Sequence, residues 1–134
     1  MILLLQGSSD LARVALAEKI IKEHSTWRHL PIEGLSETEI FREAIPVEPS
    51  EDLLLMLAIH LAKEMHAKNT HVLLSYQDAT PFLADMRSEL GADFISMFLH
   101  CDGPAPSGHD HLLPAKGESV NDLYQIVQKI ILSA

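Results

Sequence analysis

The chain has 134 residues, of which 47% are hydrophobic and 22% charged, and it carries a single cysteine, Cys101. This length corresponds to about one domain, and the composition is that of a globular chain rather than a disordered one, so we expect one domain over residues 1–134. A lone cysteine excludes an intrachain disulfide and is compatible with the reducing cytoplasm, where we expect the protein to reside.

The charge balance excludes several classes of partner. Ten basic and nineteen acidic residues give a net charge of −9, so we expect no basic surface for the phosphates of a nucleic acid or for an anionic membrane. The apolar N-terminus, Met1–Leu5, lacks the basic region of a signal peptide, and no apolar run approaches the roughly 18 residues that span a bilayer. We therefore expect a soluble protein.

The hydrophobic pattern predicts strands and helices in alternation. Short apolar runs predict the strands Met1–Leu5, Trp27–Glu33, His71–Tyr76, Phe94–Leu99 and Asp110–Leu113, of which the second is the weakest because it contains a proline. Helical spacing after a capping residue predicts helices near residues 9–24, 36–44, 50–68, 80–91 and 119–132. The order β-α-β-α-α-β-α-β-β-α predicts an α/β fold with three layers, α/β/α, around an open parallel sheet of about five strands.

The long helix near residues 50–68 has a broad apolar face, so we expect it to be substantially buried. The residues of that face are Leu53, Leu54, Leu57, Leu61 and Met65. Such a face belongs to the core more often than to a partner surface, and a protein-interaction role requires an apolar patch that stays exposed after folding.

The first strand-to-helix turn is the candidate ligand site, because open parallel sheets bind ligands at the carboxyl ends of their strands. The turn reads Gly7-Ser8-Ser9-Asp10-Leu11-Ala12-Arg13-Val14. A phosphate-binding loop has the pattern G-x-x-x-x-G-K-[ST] at this place. Gly7 matches the first glycine, whereas Ala12, Arg13 and Val14 stand where the second glycine, the lysine and the magnesium-binding hydroxyl belong.

With this loop, most of the chain resembles the P-loop nucleotide kinases, among them dephospho-coenzyme A kinase, adenylate kinase and the phage deoxynucleoside monophosphate kinases. The segments that carry the resemblance, besides the loop, are Ala15–Ile20, Leu73–Asp78, Phe82-Leu83, Leu90–Ala92, Asp110–Leu113 and Ser119–Leu132. The resemblance implies a P-loop NTPase-like fold with the sheet order 2-3-1-4-5.

The loop is a degenerate version of the kinase loop. In these kinases the lysine contacts the β- and γ-phosphates and the hydroxyl holds magnesium, whereas Arg13 differs from lysine in bulk and geometry and Val14 cannot bind a metal. The interval that corresponds to the mobile lid, Asp102–Asp110, contains no arginine or lysine. We therefore expect a noncatalytic kinase-like domain that acts as a nucleotide- or phosphate-binding module or as a protein-interaction module. Its candidate ligand-binding residues are Gly7, Ser8, Ser9, Asp10, Ala12, Arg13 and Val14.

The alternative is an active nucleotide or small-molecule kinase that transfers a phosphoryl group from ATP, with ATP and Mg²⁺ as cofactors. Arg13 would then bind the γ-phosphate, while Glu33 and Asp78 would organise the acceptor or the magnesium. Both carboxylates also have a plainer interpretation as solvated turn residues, and the loop has one as an ordinary turn without a ligand.

A metal-binding loop is a third hypothesis. His100, Cys101, Asp102, His109 and His111 lie in or beside one loop at the predicted ligand edge, and their side chains are of the types that bind zinc. Their spacing matches no structural zinc motif, so we predict no metal site.

Overall fold

The computed structural model describes residues 1–7, 9–37, 50–101, 103, 104 and 106–133. The strands are β1 (Ile2–Gln6), β2 (Arg28–Pro31), β3 (Val72–Tyr76), β4 (Phe94–His100) and β5 (His111–Pro114). The α-helices are α1 (Asp10–Glu23), α2 (Glu51–Ala67), α3 (Leu83–Leu90) and α4 (Val120–Ser133), and short 3₁₀ helices cover Ile32–Glu37, Thr80–Phe82 and Gly91–Asp93. Within these residues no helix is both long enough and apolar enough to cross a membrane.

The five strands form one sheet in the order β2-β3-β1-β4-β5. Every neighbouring pair is parallel, which confirms the predicted α/β fold and the sheet order 2-3-1-4-5. The central strand β1 is buried along its whole length. Its residues are paired with Val72–Tyr76 of β3 on one side and with Phe94–Phe98 of β4 on the other.

The alternation of side chains along β1 divides the core into two layers. Leu3 and Leu5 pack in a cluster with α1 and α4. Ile2 and Leu4 point to the opposite face and pack in a cluster with α2 and α3. Successive side chains of a strand point to opposite faces, so a strand that is apolar at every position needs a cover on both. The predicted three-layer arrangement is confirmed.

The helix ends follow the predicted capping chemistry. A serine side chain accepts a backbone N–H in the first turn of three helices: Ser9 for α1, Ser50 for α2 and Ser119 for α4. Gly91, with φ +76°, ends α3. The three serines fix where α1, α2 and α4 start, whereas α3 starts at Leu83 without a side-chain cap. The start of α1 bears directly on the ligand site.

Two segments differ from the sequence-based expectations. The second strand ends at Pro31 and continues as the 3₁₀ helix Ile32–Glu37, so Glu33 lies beyond the strand rather than inside it. The remainder of the helix predicted over residues 36–44 lies outside the described residues. Helix α2 is also less buried than its composition suggests, since only Leu55, Ala58 and Ala62 are fully buried.

A glycine is required at position 7 because β4 approaches the loop closely there. A Cβ at Gly7 would lie 2.8 Å from the Cβ of Leu99, a buried residue, and Gly7 has φ +154°. Because a packed core cannot yield to an added methyl group, we expect Gly7→Ala to lower the free energy of unfolding by about 2 kcal/mol in urea denaturation.

Gly91→Ala is the matched control for this prediction. Gly91 has φ +76°, and a Cβ added there would meet no atom within 4 Å, so its substitution carries only the backbone penalty, about 1 kcal/mol. Equal losses in the two variants would show that contact with Leu99 is not the reason for a glycine at position 7.

Candidate functional site

The turn after β1 is shorter than a phosphate-binding loop. In that motif the whole glycine-rich pattern, up to its lysine and hydroxyl, stands between the strand and the body of the helix. Here β1 ends at Gln6 and α1 begins at Asp10, so residues 10–14 of the candidate loop are helical. The N–H of Arg13 donates to the carbonyl of Ser9 at 3.0 Å, and the N–H of Ala12 donates to the Ser9 hydroxyl at 3.4 Å. These amides are therefore already bonded within the protein.

Arg13 is the only basic residue of the candidate loop, and its guanidinium is turned into the protein. Its Nη1 donates to the carbonyl oxygen of Gly7. Its Nη2 donates to Asp10 Oδ1 at 2.6 Å and to Glu33 Oε1 at 3.3 Å, and the side chain is 7% exposed. One carbonyl dipole and two carboxylates thus surround the single positive charge, which leaves little of its field for a ligand.

The structure brings two of the three candidate catalytic residues together and places the third beside them. Glu33 contacts Arg13 from the 3₁₀ helix that follows β2. Asp78 follows β3, next to Gln77, whose carbonyl oxygen accepts the N–H of Gly7 at 3.0 Å. The Asp78 carboxylate accepts both the N–H and the hydroxyl of Thr80, at 2.9 and 2.5 Å. This is the local geometry of an Asx turn, in agreement with the plainer interpretation of Asp78.

The other candidate loop residues are spread over the surface of α1. Val14 is 51% exposed, and its neighbour Leu11 is 87% exposed. Ala12 is half-buried against the core, and Ser8 lies outside the described residues. Val14 therefore stands on the outer surface of α1, and it has no hydroxyl with which to hold a metal.

The edge of the sheet around the loop carries negative charge. The Tyr76 hydroxyl, at the end of β3, donates to Glu51 Oε1 at 2.6 Å. Burial, the hydrogen bond to Glu51 and the charges of Glu33 and Asp78 together raise the pKa of Tyr76 well above its usual range. The carboxylates of Glu33, Glu51 and Asp78 thus act on one group at this edge, and with Asp10 they make the mouth of the site acidic.

A buried polar network that the sequence analysis missed lies beneath the same edge. Gln6, fully buried at the end of β1, accepts the N–H of Ala79 through Oε1 at 2.8 Å. Its Nε2 donates to Ser96 Oγ at 2.9 Å and to His109 Nδ1 at 3.2 Å. A glutamine that ends an otherwise apolar buried strand is the sequence feature that could have indicated this network, because a buried amide needs partners.

His109 connects this network to Asp78. Its Nδ1 lies 2.7 Å from Ser96 Oγ, and its Nε2 lies 2.9 Å from the Thr80 hydroxyl, which donates to Asp78. Since the Gln6 amide nitrogen can only donate, Nδ1 must accept and Nε2 must carry the proton, which defines a neutral imidazole. Burial lowers the pKa of His109, against the opposing effect of the carboxylates of Asp78 and Asp110.

The histidine-rich loop shows no metal centre in the part of the chain that the structure describes. No three His, Cys, Asp or Glu side chains there are arranged to hold a metal ion. His109 serves the network just described, His111 is exposed at the start of β5, and Asp102 lies outside the described residues.

Comparison with known proteins relates the fold to kinases. No protein-family model matches the chain, and no curated protein matches it. A solved structure described as a "putative kinase" from Chloroflexus aurantiacus J-10-fl is similar, with a TM-score of 0.66, 12% identity, and coverage of 98% of this chain and 96% of that one. A gluconokinase from Sinorhizobium meliloti 1021 is similar with a TM-score of 0.59, 11% identity, and the same coverage of 98% and 96%. At such low identity the likeness shows the fold alone, which is the α/β fold with the five-stranded parallel sheet described above.

Because the folded protein holds His109 neutral, we predict that the contribution of His109 to stability is lost when the pH is lowered. The pKa of His109 is lowered in the folded state and returns to about 6.5 on unfolding. The contribution is therefore fully present above about pH 6.5 and is lost as the pH falls through the lower folded pKa, with a slope of at most about 1.4 kcal/mol per pH unit. Urea denaturation between pH 7.5 and pH 5 measures it.

His109→Gln should reduce this pH dependence, because glutamine can donate and accept a hydrogen bond but does not titrate. His60→Gln is the control, since His60 is exposed and its only described ion pair, to Glu64, is 3.9 Å long. If His109→Gln keeps the full pH dependence of the unaltered protein, the network does not exclude the proton.

Proposed function

We propose that this chain, as one domain over residues 1–134, is a P-loop kinase-like domain with a degenerate first loop that does not catalyse phosphoryl transfer. Its expected role is that of a nucleotide- or phosphate-binding module or of a protein-interaction module, and the loop geometry favours the interaction role. The observation that carries the proposal is the engagement of Arg13 by Gly7, Asp10 and Glu33.

Phosphoryl transfer depends on positive charge held against the phosphates. To reach a phosphate, the Arg13 guanidinium would have to leave a carbonyl and two carboxylates, and those carboxylates would then face the incoming anion. Two carboxylates and one guanidinium leave a net charge of −1 at this point, so the site disfavours an incoming polyphosphate. Because Asp10 is 78% and Glu33 43% exposed, water screens part of this repulsion.

The residues present do not fit ATP with Mg²⁺. The position of the metal-binding hydroxyl is taken by Val14 on the outside of α1, and the amides of Ala12 and Arg13 are bonded within the protein. This loop therefore supports no catalytic step that uses ATP and Mg²⁺.

The alternative function, an active nucleotide or small-molecule kinase, has one observation in its favour. Arg13, Glu33 and Asp78 all lie at the same edge of the sheet, where the acceptor and magnesium would be organised. In this alternative ATP draws Arg13 away from its carboxylates, and Glu33 acts as a general base towards the acceptor.

Titration with ATP and Mg²⁺ tests the two functions against each other. We expect no binding with a Kd below about 100 µM in calorimetry, since the mouth repels polyphosphates. We also expect no ADP release with nucleoside monophosphates, or with gluconate, which the similar gluconokinase suggests. Turnover of any acceptor would contradict the proposal and favour the kinase. Micromolar binding without turnover, lost in Arg13→Ala but kept in Lys19→Ala, would select the nucleotide-binding role over the interaction role.

The stability of an Arg13 variant separates a structural arginine from one reserved for a ligand. We expect Arg13→Met to lower the free energy of unfolding by about 1–3 kcal/mol, because it removes three hydrogen bonds of a buried guanidinium while Asp10 stays hydrated. Lys19→Met is the control. It breaks the exposed pair of Lys19 with Glu23 and should change stability by less than about 0.5 kcal/mol in the same denaturant titration. An Arg13 variant as stable as the unaltered protein would be evidence that the guanidinium is held for a ligand.

A further inference from the structure

Helix α2 leaves apolar surface uncovered. Met56 is 67% exposed, and its neighbour on the same face, Ile59, is only partly buried. A helix that is apolar on most sides is normally buried on most sides, whereas a surface helix normally has a polar outer face. Most exposed residues of α2 are polar, such as Asp52, His60 and Lys63, so Met56 places apolar surface within an otherwise polar outer face.

This surface lines a groove between α2 and α3, which we call the α2–α3 groove. It consists of two adjoining pockets of about 280 and 390 Å³ that share Met56, Ile59 and Asp85. The aromatic ring of Phe82, just before α3, lines the first pocket. The two pockets thus form one continuous channel with an apolar floor.

The charges along the α2–α3 groove are unevenly distributed. Asp52 and Asp85 line the first pocket, and neither is paired with a cation in the described part of the chain. At the other end, Lys63 Nζ lies 3.1 Å from Glu89 Oε2, so that pair is neutralised. Among the described residues, Asp52 thus stands without a cation at one end of the groove, and Asp85 stands without one where the two pockets meet.

The spacing of the lining residues indicates how long a helix in the α2–α3 groove could be. Asp52, Met56, Ile59 and Lys63 follow one another at intervals of four, three and four residues, which places them on a single face of α2. At a rise of 1.5 Å per residue this face is about 16 Å long, which corresponds to about three turns of a second helix laid against it.

We infer that the α2–α3 groove binds an amphipathic helix of a partner protein, about three turns long, with a lysine or arginine near one end. Its apolar face would cover Met56 and Ile59, and its cation would lie between Asp52 and Asp85. Recognition of a helix in an apolar groove is a common mode of protein interaction, and complementary charge at one end determines its direction. The groove lies on the opposite face of the sheet from α1, so this inference stands independently of what the first loop binds.

A basic synthetic helix tests the inference. The probe is a capped, fluorescein-labelled peptide of two Leu-Lys-Lys-Leu-Leu-Lys-Leu heptads, titrated with the full chain in fluorescence anisotropy. We expect saturable one-to-one binding in the micromolar range. Met56→Lys should weaken it by about tenfold or more, and the double variant Asp52→Asn with Asp85→Asn should weaken it by about tenfold and reduce its salt dependence.

Matched variants on α4 control for nonspecific attraction to an acidic protein. Leu132→Lys adds the same charge at a leucine that is 74% exposed. Asp122→Asn with Glu118→Gln removes the same two charges, one of them in the first turn of a helix as Asp52 is. Circular dichroism melting confirms that each variant is folded, and both control proteins should bind the peptide within about twofold of the unaltered chain.

Three results would overturn the inference. The first is the absence of binding, or equal weakening by the groove variants and by the α4 variants. The second is equally tight binding of the acidic peptide that has glutamate in place of every lysine. The third is a dimer of the unaltered chain, in sedimentation without peptide, that Met56→Lys converts to a monomer, because the groove would then belong to a second copy.

Discussion

At the carboxyl edge of the sheet, the positive charge of Arg13 is used within the protein, because the guanidinium contacts Gly7, Asp10 and Glu33. Strand β3 lies between β1 and β2. Arg13 therefore connects the segments that follow two strands that are not neighbours in the sheet, with one charged group. A cation that is needed for this internal connection is not available to a ligand without loss of the connection.

The polar groups under this edge are satisfied in the same internal way. Gln6, Ser96, His109 and Thr80 form one chain of hydrogen bonds that ends on Asp78. Within the residues that the structure describes, no buried side-chain nitrogen or oxygen lacks a hydrogen-bond partner. Sites that are built for a polar ligand often keep polar groups whose hydrogen bonds only the ligand completes. In the part of the chain that the structure describes, these connections are complete without a ligand.

The sequence predicted the elements well and the site only in part. The run Met1–Leu5 predicted a central buried strand because it is apolar at every position, but the sheet order came from the resemblance to kinases and not from the pattern. The sequence showed that Arg13 and Val14 differ from the phosphate-loop motif. It could not show that the Arg13 guanidinium contacts Glu33, because the fold brings these two residues together. The His109 network joins residues 103 positions apart, and no local pattern indicates such a contact.

The α/β fold separates two places where this chain can contact other molecules. The carboxyl edge of a parallel sheet is where such folds bind ligands, and here it is acidic and connected within itself. The outer faces of the helices are under no such constraint, and on α2 the exposed Met56 lies in a groove that Asp52 and Asp85 also line. A fold fixes layers and strand order but leaves its surfaces open to change. The engagement of Arg13 by carboxylates and the exposure of Met56 in the α2–α3 groove are thus the two observations that support our proposal of protein recognition rather than phosphoryl transfer.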